Sequence, residues 1–389
     1  MGTTEMKRIA FITGDLRSYT GGEKYIIELC KRLKDLDIVV FSQRCDKNVH
    51  FSNKEIEKML KAKIEYYDVF EIPVSKERIP LTKTGILLLL KLYKYDLVYF
   101  IDSSTPLIFM ILLFLNLKAA KTKVIFGAHD PSILGVFRVV PQENTFVKKM
   151  LLKFYAPICK AILFKVPNIH VLTNDDKKRL EIYGYKGNIH LIPNFLYYKR
   201  SSIHILNNKR KFIVLFGGRP AIYHKGIDLL VDIINKVIDK NKEVLFHIFG
   251  SGEDGQELVE NLAKRYPENV KYLGFVPNKN LEKEYKNSSL YIMTSRIEAF
   301  PLVILEAQAH GLPVIAFDIK GPRDIIRNFS GSIIKPFDTS AFSDEILRYY
   351  NLWKKGKLNV RYKKSIIDYI FSKYSDKVVI PKIEKMLTS

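Results

Sequence analysis

The sequence predicts an α/β protein made of two successive parallel-sheet units. Strand and helix signals alternate from residue 8 to about Trp353, the pattern of parallel strands joined by helical crossovers. The 389 residues are long for one hydrophobic core and comfortable for two. Between the two alternating stretches, FLYYKRSSIHILNNKRK at 195–211 has little periodicity and several Asn and Ser residues, as a domain connection does.

KRIAFITG reads as the first strand and GGEKYIIELCKRLKDL as its helix. Ile38 to Phe41 is the next strand signal, DLVYFID at 96–102 another, and KVIFGAHD at 123–130 follows. After a long helical stretch come NIHVLTN at 168–174 and NIHLIPN at 188–194. The apolar runs ILLLL at 86–90 and LIFMILLFL at 107–115 fall well short of the roughly 18 residues a membrane span needs. Both are expected to be buried helix. In the second unit, FIVLF is a strand and its helix carries Ile227, Leu230, Ile233, Ile234, Val237 and Ile238 at three- and four-residue intervals. Segments 360–374 and 376–387 also read as helices.

Hydrophobic residues make up 47% and charged residues 27%, the balance of a folded globular protein. The formal charge of +22 divides about evenly between the halves, so it is not a basic tail. It suits phosphorylated substrates, an anionic membrane surface or nucleic acid, or reflects a lysine-rich proteome. No recognised nucleic-acid-binding module accompanies it, so no nucleic-acid partner is expected. From Lys118 to Lys165 there are nine basic and two acidic residues, and KKMLLKFYAPICKAILFK interleaves lysines with large apolar side chains. Such a helix either lies on an anionic bilayer or packs on the sheet with its lysines solvated. Cys30, Cys45 and Cys159 have no metal-ligand spacing, and the N-terminus runs into a strand without a signal-peptide core. A cytoplasmic protein is expected, with peripheral contact to the membrane as one option.

SRIEAFPLVILEAQAHGLPVIAF places Glu298 before a short helix and Glu306 within it. The first-turn amides around Phe300 to Val303 are expected to attract phosphate oxygens, with Pro301, which has no N–H of its own, starting the helix. Ionised carboxylates accept from hydroxyls, so Glu298 suits a sugar and Glu306 a ribose diol; the plain alternative is a crossover with solvated Glu residues. FGGRPAIYHKG puts Gly217, Gly218, Arg219, Lys225 and Gly226 between a strand and a helix, two cations fit for a diphosphate. Gly250, Ser251 and Gly252 follow the next strand, and Phe275 and Val276 stand in the LGFVP turn. In the first half, Gly14, Gly21 and Gly22 follow the first strand without GxGxxG spacing, and Glu23 opens the helix. His129 and Asp130 end an apolar strand.

The order and wording of these motifs resemble the retaining glycosyltransferases of family 4. Arg219 with Lys225, and Glu298 with Glu306, match that family's donor-site signature. The resemblance implies a GT-B fold: two Rossmann-like domains facing each other across a deep cleft. It implies an acceptor domain at 1–195, a linker at 196–210, a nucleotide-sugar donor domain at 211–370, and a terminal helix at 371–389 crossing back. Catalytic roles are implied for Glu298, His129, Arg219 and Lys225. Donor contacts are implied for Gly22, Gly218, Arg219, Lys225, Gly250, Val276, Glu298, Phe300, Pro301, Leu302 and Glu306. The implied reaction moves a hexose-type sugar from a nucleoside diphosphate, UDP favoured, to a glycan or lipid-linked acceptor with retention. No cofactor or metal is expected, because two fixed cations take an ion's place. Ala299 stands where the family often has Gly or Ser, and Lys320-Gly321-Pro322-Arg323-Asp324 replaces a common Gly-Gly pair. The rival readings are another GT-B enzyme, an epimerase or phosphorylase, and a basic nucleic-acid-binding protein.

Overall fold

A computed structural model of the chain describes residues 7–18, 21–44, 51–68, 70–71, 78–79, 82–101, 122–129, 161, 163–198, 200 and 211–389. It divides into two units, residues 1–194 with 379–389, and residues 195–378.

The strands of the first unit are β1 (Arg8–Thr13), β2 (Asp37–Arg44), β3 (Lys63–Asp68), β4 (Phe70–Glu71), β5 (Arg78–Ile79), β6 (Leu97–Phe100), β7 (Lys123–Ala128), β8 (Asn168–Val171) and β9 (Asn188–Leu191). Seven form one sheet in the order β3-β2-β1-β6-β7-β8-β9, parallel throughout, while β4 and β5 make a separate antiparallel ladder. Ile9 to Thr13 are all buried, as are all of β6 and β8, because helices cover both faces of a parallel sheet. The chain moves outward through β2 and β3, then restarts on the other side of β1 at β6. The switch point of this sheet therefore falls between β1 and β6, the place where open α/β sheets bind ligands.

Helix Lys83–Leu92 corrects one expectation. It is a helix, but Ile86, Leu87 and Leu90 are each more than two-fifths exposed, while Leu88 and Leu92 enter the core. One helix face reaches the sheet, so a run of four leucines necessarily turns some of them to water. The run 107–115, Asp130 and most of the basic stretch 118–165 lie outside the described residues.

The second unit contains β10 (Ile213–Gly217), β11 (Leu245–Phe249), β12 (Val270–Tyr272), β13 (Leu290–Met293), β14 (Val314–Phe317) and β15 (Gly331–Ile334). Their parallel order is β12-β11-β10-β13-β14-β15, with the switch point between β10 and β13. Helix Ile227–Lys240 buries all six apolar positions that its periodicity marks. The division falls at Asn194/Phe195, ahead of the expected linker. Leu196 donates its N–H to the Tyr374 carbonyl at 2.6 Å, which ties that segment to the second unit. Helices Val360–Tyr374 and Asp376–Thr388 close the chain, and residues from Val379, not 371, count with the first unit. There Lys123 Nζ donates to the Met386 carbonyl at 3.5 Å.

Candidate active site

In the second unit the side chains singled out from the sequence gather at the carboxyl ends of β10 and β13. Gly218 and Gly250 lie back to back at φ +143° and +128°, and a Cβ on Gly250 would stand 1.9 Å from the Gly218 carbonyl oxygen. Only residues without Cβ allow these turns to touch. A Cβ on Gly218 would meet Lys225 Cε at 3.7 Å, so the lysine stem runs over this glycine.

Lys225 ends the short helix Ile222–Lys225, whose last carbonyl accepts from Thr294 Oγ1 at 2.9 Å. Its Nζ donates to Glu298 Oε1 at 2.6 Å, and Ser295 Oγ donates to the same oxygen at 2.8 Å. Two residues 73 positions apart thus meet in one partly buried ion pair. Lys225 has three N–H donors, so pairing with Glu298 leaves it able to take phosphate oxygens as well.

Arg219 is the expected phosphate ligand that the structure turns elsewhere. Its guanidinium donates to Glu253 Oε1 at 2.8 Å and its side chain is 58% exposed. An exposed pair of this kind contributes at most about 1 kcal/mol, so an arriving diphosphate competes readily for the arginine.

Helix Leu302–Ala309 begins one residue later than expected. Pro301 is its N-cap, no side chain caps it, and no acidic residue occupies its first turn. Phe300 lies before the helix, buried, with its ring 5.8 Å from that of Tyr374. The open first-turn amides thus belong to Leu302 and Val303, while Phe300 and Pro301 shape the approach. A Cβ on Gly321 would sit 2.8 Å from Pro301 Cδ, which places the 320–324 loop against this entrance.

Glu306 is 6% exposed, and both its oxygens are occupied. Tyr197 donates to Oε1 at 2.7 Å and Tyr285 to Oε2 at 2.9 Å. Burial first, then the adjacent Glu306 charge, pushes the Tyr285 hydroxyl well above its ordinary range and keeps it a donor. A carboxylate oxygen can accept more than one hydrogen bond, so a ribose hydroxyl can join the tyrosines there. Val276 is partly exposed and Phe275 presents 73% of its surface to solvent beside β12. Gly250 N–H donates to the Gly274 carbonyl at 2.8 Å, so this turn and the glycine pair are neighbours.

Sequence reasoning passed over Arg296, although it stands two residues before Glu298. Its guanidinium grips both Asp228 oxygens, at 2.7 and 2.5 Å, and donates to the Ile222 carbonyl at 3.1 Å. The aspartate raises the guanidinium's pKa and is itself lowered by it. Arg296 thereby clamps the turn bearing Lys225 to the loop bearing Glu298. Arg296→Ala should lower the melting temperature by a few degrees, about 1–2 kcal/mol, and weaken nucleotide binding. Scanning calorimetry and a nucleotide titration measure both.

In the first unit, Gly21 and Gly22 open helix Gly21–Cys30 in the open, with nothing within 4 Å of an added Cβ. Packing does not require glycine there, and Glu23 sits favourably in the first turn. His129 directly follows β7 and is partly exposed. Its Nε2 lies 3.0 Å from His170 Nδ1 and 3.3 Å from the Tyr99 hydroxyl, neither singled out from sequence. The metal-free expectation also counted no Asp-x-Asp motif in the sequence, which is incorrect: Asp35-Leu36-Asp37 is one. It stands at the amino end of β2, where Asp37 pairs with Arg8 at 3.4 Å, away from the strands' carboxyl ends.

Two family models together span most of the chain: "Glycosyltransferase Family 4" matches residues 19–198 and "Glycosyl transferases group 1" residues 199–366. The amylovoran biosynthesis glycosyltransferase AmsD of Erwinia amylovora is 32% identical over 167 residues, 41% of this chain. The poly(ribitol-phosphate) alpha-N-acetylglucosaminyltransferase of Staphylococcus aureus (strain COL) is 31% identical over 225 residues, 56% of this chain. The matched stretches span 45% and 43% of those relatives, less than half of either. The crystal structure of TarM superposes with a TM-score of 0.74 at 18% identity, covering 99% of each chain. Anabaena HepE in complex with UDP gives 0.72 at 14% identity, covering 98% of this chain and 99% of that one. Those two likenesses concern the fold. With both family models matched in the order of its two sheets, the chain belongs to the GT-B glycosyltransferases of family 4.

Proposed function

We propose that this chain transfers a hexose-type sugar from a nucleoside diphosphate, with UDP as the favoured carrier, to a glycan or lipid-linked acceptor, retaining anomeric configuration. The Lys225–Glu298 pair at the sheet's switch point is the observation that carries this reading. It sets a cation for the leaving diphosphate beside a carboxylate for the sugar, next to an uncapped helix. The relatives' names support a nucleotide-sugar donor: HepE was crystallised with UDP-glucose, and TarM with UDP and alpha-GlcNAc-glycerol.

In the proposed reaction the bond from anomeric carbon to β-phosphate oxygen breaks as the acceptor oxygen bonds to the same face. The acceptor's proton passes to the departing phosphate. Lys225, Arg219 and the Leu302 and Val303 amides stabilise the leaving charge, the work a metal ion does in other sites. Glu298 positions the sugar, and Glu306 receives the ribose hydroxyls. The exposed Phe275 ring and Val276 border the nucleobase.

A thermal-shift screen with UDP-, GDP- and ADP-sugars tests the donor assignment. A ligand at a hundred times its Kd stabilises the folded state by about 2.7 kcal/mol, a shift of several degrees. Indifference to all three classes would overturn the reading, and a response to GDP- or ADP-sugars alone would overturn the UDP preference. NMR of the product's anomeric proton then decides retention. Among the described residues no helix is long and apolar enough to cross a membrane. Given a charge of +22, peripheral contact with anionic lipid is proposed, seen as vesicle sedimentation that falls with added salt. Equal sedimentation with neutral vesicles would contradict it.

A further inference from the structure

His129 reaches into the first unit through a hydrogen-bonded cluster whose proton inventory has one solution. His170, in β8, is fully buried, and its Nε2 lies 2.7 Å from the Ile192 carbonyl. A carbonyl only accepts, so Nε2 carries a proton. Burial pulls His170 down to about 4, so the ring is neutral at physiological pH and its Nδ1 holds a lone pair. The Tyr99 hydroxyl, 2.5 Å from that Nδ1, must donate its only proton there. Burial raises Tyr99 well above its usual range, so that proton is retained.

His129 Nε2 then faces the Tyr99 oxygen, which can still accept, at 3.3 Å, and the His170 Nδ1 lone pair that Tyr99 already shares, at 3.0 Å, with no donor proton pointing back at it. Only a protonated Nε2 satisfies that geometry. Gly127 makes it sterically accessible, since a Cβ there would lie 3.2 Å from His129 Nε2 and 2.6 Å from the Phe100 carbonyl oxygen. The Cδ2–Nε2 edge of the ring therefore lies against the strand, and the edge bearing Nδ1 is turned from it.

We propose that Tyr99 and His170 are positioning residues for His129, holding it as the neutral Nε2–H tautomer so that Nδ1 is presented as a hydrogen-bond acceptor at the carboxyl end of β7. This rests on the catalytic role that the family resemblance implies for His129 in the proposed transfer. Burial first, and His170 second, hold His129 well below the usual imidazole range, in keeping with an acceptor Nδ1. Among the described residues, the groups facing it from neighbouring elements are Tyr25 of helix Gly21–Cys30, Tyr99 of β6 and His170 of β8, with His190 of β9 behind. Burial raises Tyr25 to beyond its ordinary range and lowers His190, so both are neutral at physiological pH. Among these described neighbours no carboxylate favours the imidazolium.

Full-length protein labelled with ¹⁵N-histidine gives the test, because imidazole nitrogen shifts distinguish the tautomers directly. The His129 signals, assigned by their loss in His129→Gln, should show protonated Nε2 and bare Nδ1 at neutral pH. Tyr99→Phe and His170→Leu should mix the tautomers and lower kcat/KM about tenfold, equivalent to about 1.4 kcal/mol. His170→Asn keeps an acceptor near the Nδ1 position and should recover most of that loss, which a merely structural role does not explain. A wild-type His129 protonated on Nδ1 overturns the proposal, and so does an unchanged tautomer and kcat/KM in both variants. Full activity in His129→Gln would remove the catalytic role on which the proposal rests and would overturn it.

Discussion

Lys225→Ala should lower turnover by about 10²–10³-fold while the protein remains folded, the usual effect of losing one preorganised donor to a developing charge. The reason lies in what the lysine touches. Its ammonium is held by Glu298 Oε1 at 2.6 Å and its stem runs over Gly218, so it is oriented before any donor arrives. The stability effect should be modest, about 1–2 kcal/mol, because the pair is partly buried but Ser295 still donates to the carboxylate left behind. Lys225→Arg should rescue poorly, since a planar fork does not replace a compact charge at this spacing. Glu298→Gln should also be slow. Because the two side chains act as one unit, the double variant should lose far less than the product of the single losses. Circular dichroism and steady-state kinetics separate folding from chemistry. A folded Lys225→Ala with wild-type turnover removes the lysine from the mechanism.

Much of this site was legible because its signals are local. Glycines at strand ends, a lysine at a helix mouth and two glutamates around a short helix can be read from contiguous residues. The helix Ile227–Lys240 was equally plain, since a periodicity of six apolar positions leaves little choice of face. What escaped notice depends on distant partners. Tyr197 meets Glu306 from 109 residues away and Tyr99 meets His170 from 71, and no spacing rule links them. The repeated Asn-Ile-His of 168–170 and 188–190 was a usable hint. Its two copies pair in register across β8 and β9, with Asn188 Nδ2 donating to Asn168 Oδ1 at 3.2 Å. That pairing becomes visible only once the strands are known to be neighbours. Arg219 shows the opposite difficulty: its residue type suits a diphosphate, but Glu253 decides where it rests without one. The leucine run at 86–90 was misjudged because apolar content says how much surface seeks burial, not how much a sheet offers.

Glu306→Leu should destabilise the second unit severely, by about 2–6 kcal/mol, and abolish nucleotide binding. Removing the carboxylate leaves the hydroxyls of Tyr197 and Tyr285 without their acceptor, and each unsatisfied buried group costs about 1–3 kcal/mol. Tyr285 is fully buried, so water offers it no easy replacement. Glu306→Gln keeps one oxygen and obliges one tyrosine to turn and accept from the amide, a smaller penalty of about 1–2 kcal/mol. The informative variant is the triple one, Glu306→Leu with Tyr197→Phe and Tyr285→Phe. Removing the two tyrosine hydroxyls together with the carboxylate takes away the donors that the single change leaves unsatisfied, so its urea midpoint should return much of the way to wild type. Its thermal shift with nucleotide sugars should not return, because no carboxylate remains for the ribose. Stability recovered without binding assigns Glu306 two separable duties, anchoring the segment that bears Tyr197 and reading the nucleoside. If the stabilised triple variant still binds nucleotide as the wild type does, the carboxylate serves the fold alone and the ribose is held elsewhere.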